Sequence, residues 1–555
     1  MTSDDDQRGD FDMLTDRRGF LGSAGLLASA AIVTRGAAAA TPRDALVIVR
    51  EISSISDWDP AVSQILDTNE INGDLYDRLI GFDPRDPKEL GPMLAERWEV
   101  APDGRRITFH MRAGAKFHSG NPVTAHDVAY SFKRLLLLGR EPSSGIRQLG
   151  FTAENIDANA RADGDARFIL TLEERYATSY VLALLSSSSF SILDAKLLQA
   201  NVEGGDFGSK WVSRRTGSEP SAGSGPYRIQ TYRASDLLIL QRNDEYWRFR
   251  PPLRRVIFRH VPEAGTQRLL LERGDADVAF NLTAQDAEAL RGVTGVKVED
   301  FPSRRILYFG FNTLTKPFDD VRVREAMKWL IDYEGLERTV MRNLGFVHQS
   351  FVPRGWLGAL DEKPYRFDVN RAKQLLTEAG VGDGFGFRFT AYNRKPEMDL
   401  ATSFQATAAQ AGVRVEVQNL PPSQSIPLYR DRRVEALQLS YYGGYGDPHA
   451  TASKFAFNPA AMPGVDPESR WPSELSWRLG WAPRDLSRRV AEATQELEEG
   501  KRVTLYQDIQ RDAWKDSPFA FMFQSTLALG LRDNVRGYVY GSRGADTSFA
   551  NTSKT

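Results

Sequence analysis

The sequence predicts an α/β fold with mixed sheets, spread over several folding units. Three observations carry that expectation. Short runs of branched apolar residues alternate with amphipathic runs of helical period in both halves of the chain. At 555 residues the chain is too long for one ordinary core, and length argues for about three to four units. Apolar residues at 41% and charged residues at 26% are ordinary globular values, which exclude a disordered or fibrous chain.

The elements follow in order. Residues 44–50, DALVIVR, read as a buried strand of branched apolar side chains. The Ala101-Pro102-Asp103-Gly104 turn leads into RRITFHMR, 105–112, an alternating strand. Residues 124–138 read as a helix, with Thr124 as its cap, Asp127 in its positive first turn, and Val128, Phe132 and Leu135 on one face. After a Ser/Gly-rich stretch at 216–225 come the strands YRIQTY, LLILQR and RRVIFRHV, a helix at 266–273 and a strand at 274–280. Beyond these, 320–344 reads as one long amphipathic helix, and 368–379 as another, ended by Gly380. Residues 413–417 and 435–441 read as strands, and 486–514 as continuous helix.

The first 40 residues have a different character. A charged lead with Arg17-Arg18-Gly19-Phe20-Leu21 precedes a weakly apolar run of about 14 residues that ends in Ala37–Ala40. That order reads as a cleaved secretory signal, and the paired arginines resemble the twin-arginine export signal. The run is shorter than the roughly 20 residues that span a bilayer. Residues 1–40 hold four arginines and six aspartates, so their removal turns the formal charge of −2 to about zero. A neutral surface without a basic block argues against nucleic acid as a partner. The chain has no cysteine, which excludes disulfides, thiolate chemistry and a lipidated cysteine anchor. The expectation is a soluble, monomeric periplasmic protein with no lipid anchor.

Motifs for catalysis are missing. There is no GxxxxGK[ST] phosphate loop, no GxGxxG after a strand, no GxSxG elbow and no HExxH. The six histidines are scattered, so neither a metal nor another cofactor is expected. The serine run 186–189 has no histidine near it and reads as a polar loop. The most distinctive local feature is 441–449, YYGGYGDPH, with three tyrosines, three glycines and an Asp-Pro pair. Its composition alone does not decide between a phosphate loop, a metal site, a catalytic acid on a flexible hinge and a surface for grasping a ligand.

Several stretches together, taken in order, resemble the extracytoplasmic solute-binding proteins of family 5, the peptide/nickel ABC-importer receptors. They are DLYDRL at 74–79, PMLAERWEV at 92–100, PDG and AGAKFHSG up to 120, and TAHDV at 124–128. GSGPY at 223–227, RNDEYW at 242–247, GFN at 310–312, PFDD with VREA at 317–326, and Asp447-Pro448 complete the set. The resemblance implies a two-lobed periplasmic binding protein of the cluster C type, with crossing strands as hinge. Lobe I would comprise 43–77, 225–303 and 525–555, with an inserted subdomain at 78–224, and lobe II would span 304–524. His118 and His126 would then be scaffold residues.

That resemblance implies a non-catalytic receptor that captures a small solute by lobe closure. It would deliver the solute to inner-membrane permease subunits driven by cytoplasmic ATPases, after export by the twin-arginine machinery. The contrasting readings are a periplasmic hydrolase and a transport-independent chaperone or sensor-coupled protein. In peptide-binding members of the family, an aspartate three residues before the Asp-Pro pair holds the ligand's ammonium group. Here that position is Gly444, and the usual tryptophan three residues further back is Tyr441. The ligand-binding candidates are therefore Tyr441, Tyr442, Gly444, Tyr445 and Asp447, with Arg430 as a carboxylate partner and Ser53, Ser54 and Trp58 from the first lobe. The expected cargo is peptide-like, with a free amino terminus less needed, and an oligosaccharide or metal chelate stands as the alternative.

Overall fold

The structure, a computed structural model, describes residues 41–555 except 64, 84, 85, 215, 218, 219, 281, 467, 472 and 542–546. The export signal expected at 1–40 lies outside the described residues. Ala45–Arg50 is a strand with every residue buried, as its run of branched apolar side chains requires. It pairs in parallel with Arg255–His260 on one side and with Val278–Ala279 on the other. The expected strand at 274–280 is thus reduced to two residues.

One mixed sheet runs through the molecule. From one edge its strands are Val413–Leu420, Phe385–Tyr392, Ala436–Tyr442, Val296–Phe311 and Phe519–Arg532. They continue as Val278–Ala279, Ala45–Arg50, Arg255–His260, Leu237–Arg242 and Tyr227–Arg233. The two long strands in the middle join the halves. Val296–Pro302 pairs with Thr526–Arg532, and Ile306–Gly310 pairs with Phe519–Gln524, with the register shifting between Pro302 and Ile306. That shift falls inside the FPSRRILYFGFN run at 301–312. Separate apolar cores lie on either side. Leu46, Ile48, Trp58 and Val256 belong to one, and Leu307, Phe309, Phe389 and Phe404 to the other.

A second, four-stranded antiparallel sheet is built from Ala95–Val100, Arg106–Met111, Arg167–Thr171 and Ala160–Ala162. The helix Ala125–Leu138 packs near it. Thr124 and Asp127 form a reciprocal capping box, and Gly139 ends the helix in the left-handed region at φ 63°. Val128, Phe132 and Leu135 are all buried, as their helical spacing predicts. From the same helix, Arg134 makes a fully buried bidentate pair with Asp59.

The motif glycines in GSGPY have a steric cause. A Cβ on Gly223 would lie 2.1 Å from the Leu75 carbonyl, and one on Gly225 would lie 2.4 Å from the Asp74 carbonyl. That close approach lets Ser224, Tyr246 and Trp247 all donate to the buried Asp77 carboxylate, at 2.9, 3.0 and 2.9 Å. Three separated sequence motifs converge on one acid.

Two expected helices are interrupted. The 320–344 segment divides into Val321–Trp329 and Tyr333–Arg338, because the Asp332 side chain accepts from the Gly335 amide and starts a new helix. The 486–514 segment divides into Arg484–Ala493 and Glu499–Asp516. Here the Thr494 hydroxyl turns back onto the Ala491 carbonyl, and the intervening residues leave the helical path.

Candidate functional site

The strand Ala436–Tyr442 lies antiparallel to the long central strand, with Tyr441 opposite Ile306 and Tyr442 opposite Arg305. It delivers the chain into the loop 443–447, from which the helix His449–Phe455 departs. Asp447 holds this turn together. Its Oδ1 accepts from the His449 amide at 2.9 Å, and both oxygens accept from the buried Arg502 guanidinium at 2.7 Å. Arg502 also donates to the Ala493 carbonyl at 3.0 Å. The Asp447 carboxylate is therefore occupied by the scaffold.

The two glycines of the loop have opposite surroundings. A Cβ on Gly443 would lie 2.4 Å from the Trp356 ring, so the backbone's close approach demands glycine there. A Cβ on Gly444 would meet nothing within 4 Å, and Gly444 lines a cavity. Arg304, from the register shift of the central strand, donates to the carbonyls of both Gly443 and Gly444.

The tyrosines divide in the same way. Tyr441 packs edge-on against Phe455, at 5.4 Å between ring centres, and donates to the Ala450 carbonyl at 3.4 Å. Burial pushes its phenol well above the usual range, and the nearby Glu474 and Glu141 carboxylates add to that shift. Tyr445 is buried, donates to the Gln148 side chain at 3.4 Å, and lies 6.3 Å from the Tyr180 ring. Tyr442 is 44% exposed and lies below the Arg305 guanidinium. His449 sits edge-on to Tyr180 at 5.0 Å. Burial lowers its pKa to about 4, against the opposing pull of Asp447, so the imidazole is neutral at pH 7.

Two neighbouring cavities open here. The smaller, of about 260 Å³, is lined by Gly444, Tyr441 and Tyr445 together with Gln148, Ser188 and Asn69. The larger, of about 570 Å³, has apolar walls from Tyr176, Tyr180, Phe457 and Trp471. They share Glu141, Ser144, Gln148, Ser453 and Lys454. Lys454 is already paired with the Glu474 carboxylate, at 3.1 and 3.2 Å. A backbone bond from Ala177 to the Thr494 carbonyl, 2.7 Å long, crosses between the walls.

The remaining candidates lie elsewhere. Ser53 and Ser54 are exposed and donate to Glu51 at 2.6 Å and Asp67 at 2.5 Å. Trp58 is buried in a core, edge-on to Tyr232, while Ser63 and Asn69 are the cavity-lining residues from that part of the chain. Arg430 is exposed at the end of the helix Pro422–Arg430 and lines neither cavity. The serine run does reach the smaller cavity through Ser187, Ser188 and Ser189, but Ser187 and Ser189 hydrogen-bond each other at 2.9 Å. Glu141, Arg147, Tyr176 and Tyr180 carried no signal in the sequence, because only tertiary packing brings them to the cleft. Among the described residues, no cluster of His, Asp and Glu could hold a metal ion.

Comparison with known proteins gives a consistent result. Residues 89–462 match the family described as bacterial extracellular solute-binding proteins, family 5 Middle. The Dipeptide-binding protein of Escherichia coli K12 is 26% identical over 491 residues, covering 84% of this chain and 86% of its own length. Heme-binding protein A of Haemophilus influenzae is 28% identical over 405 residues, covering 68% and 70%. The dipeptide binding protein from Pseudoalteromonas sp. SM9913, solved with Met-Leu, superposes with a TM-score of 0.74 at 24% identity. That match covers 92% of this chain and 100% of the other, and shows a shared two-lobed fold.

Proposed function

The chain belongs to the bacterial extracellular solute-binding proteins, family 5; from that premise we propose that it captures a peptide-like solute in the Gly444 cleft for an ABC importer. Members of this family are binding proteins rather than enzymes. The observation that carries the reading is the pair of adjoining cavities, whose volumes suit a small solute and whose walls combine aromatic rings with a few polar groups. The smaller chamber offers the amide and hydroxyl groups of Gln148, Asn69 and Ser188 beside the charged Glu141 and Lys454, a mixture that fits a peptide backbone. The larger offers aromatic walls, which fit a side chain.

Capture works by differential affinity. A solute touching both walls binds the closed arrangement better than an open one, and so shifts the population towards closure. The central strands at 302–306 are the bend about which the walls would separate. Tyr441, Tyr445 and Gly444 form one wall in this reading, with Asp447 as their scaffold. Ser53, Ser54, Trp58, Tyr442 and Arg430 would contribute only through a rearrangement on opening.

The protein would act as a monomer in the periplasm, deliver its solute to membrane permease subunits, and arrive there through a twin-arginine signal at 1–40. The Arg17-Arg18-Gly19-Phe20-Leu21 stretch supports that route. No described helix is long and apolar enough to cross a membrane.

Native mass spectrometry of the purified protein, followed by tryptophan fluorescence titration with a peptide library, tests the assignment. A co-purified peptide and a saturable spectral shift without turnover are expected. Binding confined to oligosaccharides or metal chelates would move the cargo to those classes, and product release would overturn the receptor role.

A further inference from the structure

Position 444 carries no acid, yet an acid faces the space in front of it. Glu141 lines both cavities, and it makes no ion pair or hydrogen bond through its side chain among the described residues. The other charged groups around the chambers are not equally free. Lys454 and Glu474 neutralise each other, and His449 is neutral. Arg147 is the second exception: it lines the larger chamber, is exposed, and has no carboxylate partner among the described residues. The cleft therefore presents one unmatched negative charge and one unmatched positive charge.

Both side chains are carried by one piece of backbone. Glu141 begins the 3₁₀ turn Glu141–Ser143, and Arg147 lies in the helix Ser144–Gln148 that continues from it. At 1.5–2.0 Å of rise per residue, the two Cα atoms are roughly 9–12 Å apart along the axis. An extended chain covers about that distance in three residues, at 3.3–3.6 Å each. The rings of Tyr176 and Tyr180 line the same chamber as both charges.

We propose that the segment 141–147 reads the charge of the solute: Glu141 receives an ammonium group and Arg147 a carboxylate, selecting short zwitterionic peptides with an apolar or aromatic side chain. This rests on the receptor reading above and reverses one expectation from the sequence, that a free amino terminus matters little. Loss of the acid at 444 does not leave the cleft without one. The electrostatic anchor has moved to the opposite wall, where a charge-assisted bond offsets the desolvation of a ligand ammonium.

The test is titration of wild-type protein with di- and tripeptides bearing an apolar side chain, with their N-acetylated forms and with their C-amidated forms. Each modification is expected to weaken wild-type binding by at least about tenfold. Glu141→Gln should bind free and acetylated peptides alike, and Arg147→Gln should bind free and amidated peptides alike. Both sites are exposed, and a thermal melt matching wild type excludes misfolding as the cause. Equal wild-type affinity for free and blocked peptides would overturn this inference while leaving the receptor assignment standing. Binding of no peptide in any form would overturn both.

Discussion

Arg502 grips Asp447 with both ends of its guanidinium, Nη1 to Oδ2 and Nη2 to Oδ1, each at 2.7 Å, in a site where neither side chain is more than 3% exposed. Removing one partner strands a buried charge, at a cost of about 3–5 kcal/mol. Arg502→Met should therefore lower the unfolding free energy by that order in urea titration. Asp447→Asn, which leaves the buried Arg502 cation unpaired and turns an amide donor towards it, should cost a similar amount.

The loop glycines should respond oppositely. Gly443→Ala drives a methyl group into Trp356 and should cost about 1–3 kcal/mol as overpacking. Gly444→Ala enters open space and should stay within about 0.5 kcal/mol of wild type. Denaturant midpoints of the two variants, measured side by side, check this.

Asp74 gives the pH dependence a direction. Its carboxylate is buried, accepts from Ser548 at 2.9 Å and the Phe549 amide at 3.0 Å, and has its pKa raised to about 7 by burial despite those bonds. An unfolded aspartate titrates near about 3.9. Its favourable contribution is thus complete below about pH 4 and lost as pH rises through about 7. Asp74→Asn should remove up to about 1.4 kcal/mol per pH unit of decline across that interval. Unfolding curves from pH 4 to 8 would show the flattened slope.

His449 acts with the opposite sign. Its pKa, lowered to about 4 by burial, stabilises the fold above the unfolded value near about 6.5 and withdraws that support as pH falls towards 4. Solute affinity should consequently show no imidazole titration between pH 6 and 8, although His449 lines the larger cavity. An affinity step near pH 6.5, abolished in His449→Gln, would contradict this.

The strands and most helix ends were legible in the sequence because their causes are local. Branched apolar runs made Ala45–Arg50 a buried strand, and Thr124, Asp127 and Gly139 bounded their helix by short-range hydrogen bonds and backbone freedom. The breaks after Trp329 and Ala493 were hidden, since neither gap contains a glycine or proline to announce it. At the candidate site, the sequence singled out the continuous stretch 441–447, of which Tyr441, Gly444 and Tyr445 line the smaller cavity. The facing wall was illegible, because Asn69, Glu141, Arg147, Tyr180 and Ser188 come from four separate segments and none carries a motif. The absence at Gly444 was readable. That Glu141 lines the same cavity is visible only in three dimensions.

Arg304 sits in the register shift at 302–306 of the long central strand and donates to the carbonyls of Gly443 and Gly444, so it ties that irregularity to the loop lining the smaller cavity. If the walls part about this shift, as proposed, a substitution there would alter the resting posture of the protein and the shape of the cavity together. Among the described residues, the side chains of Glu141 and Arg147 make no such bond to the central strands, so on the same reading their exchange would alter the lining of the cavity and leave that tie intact.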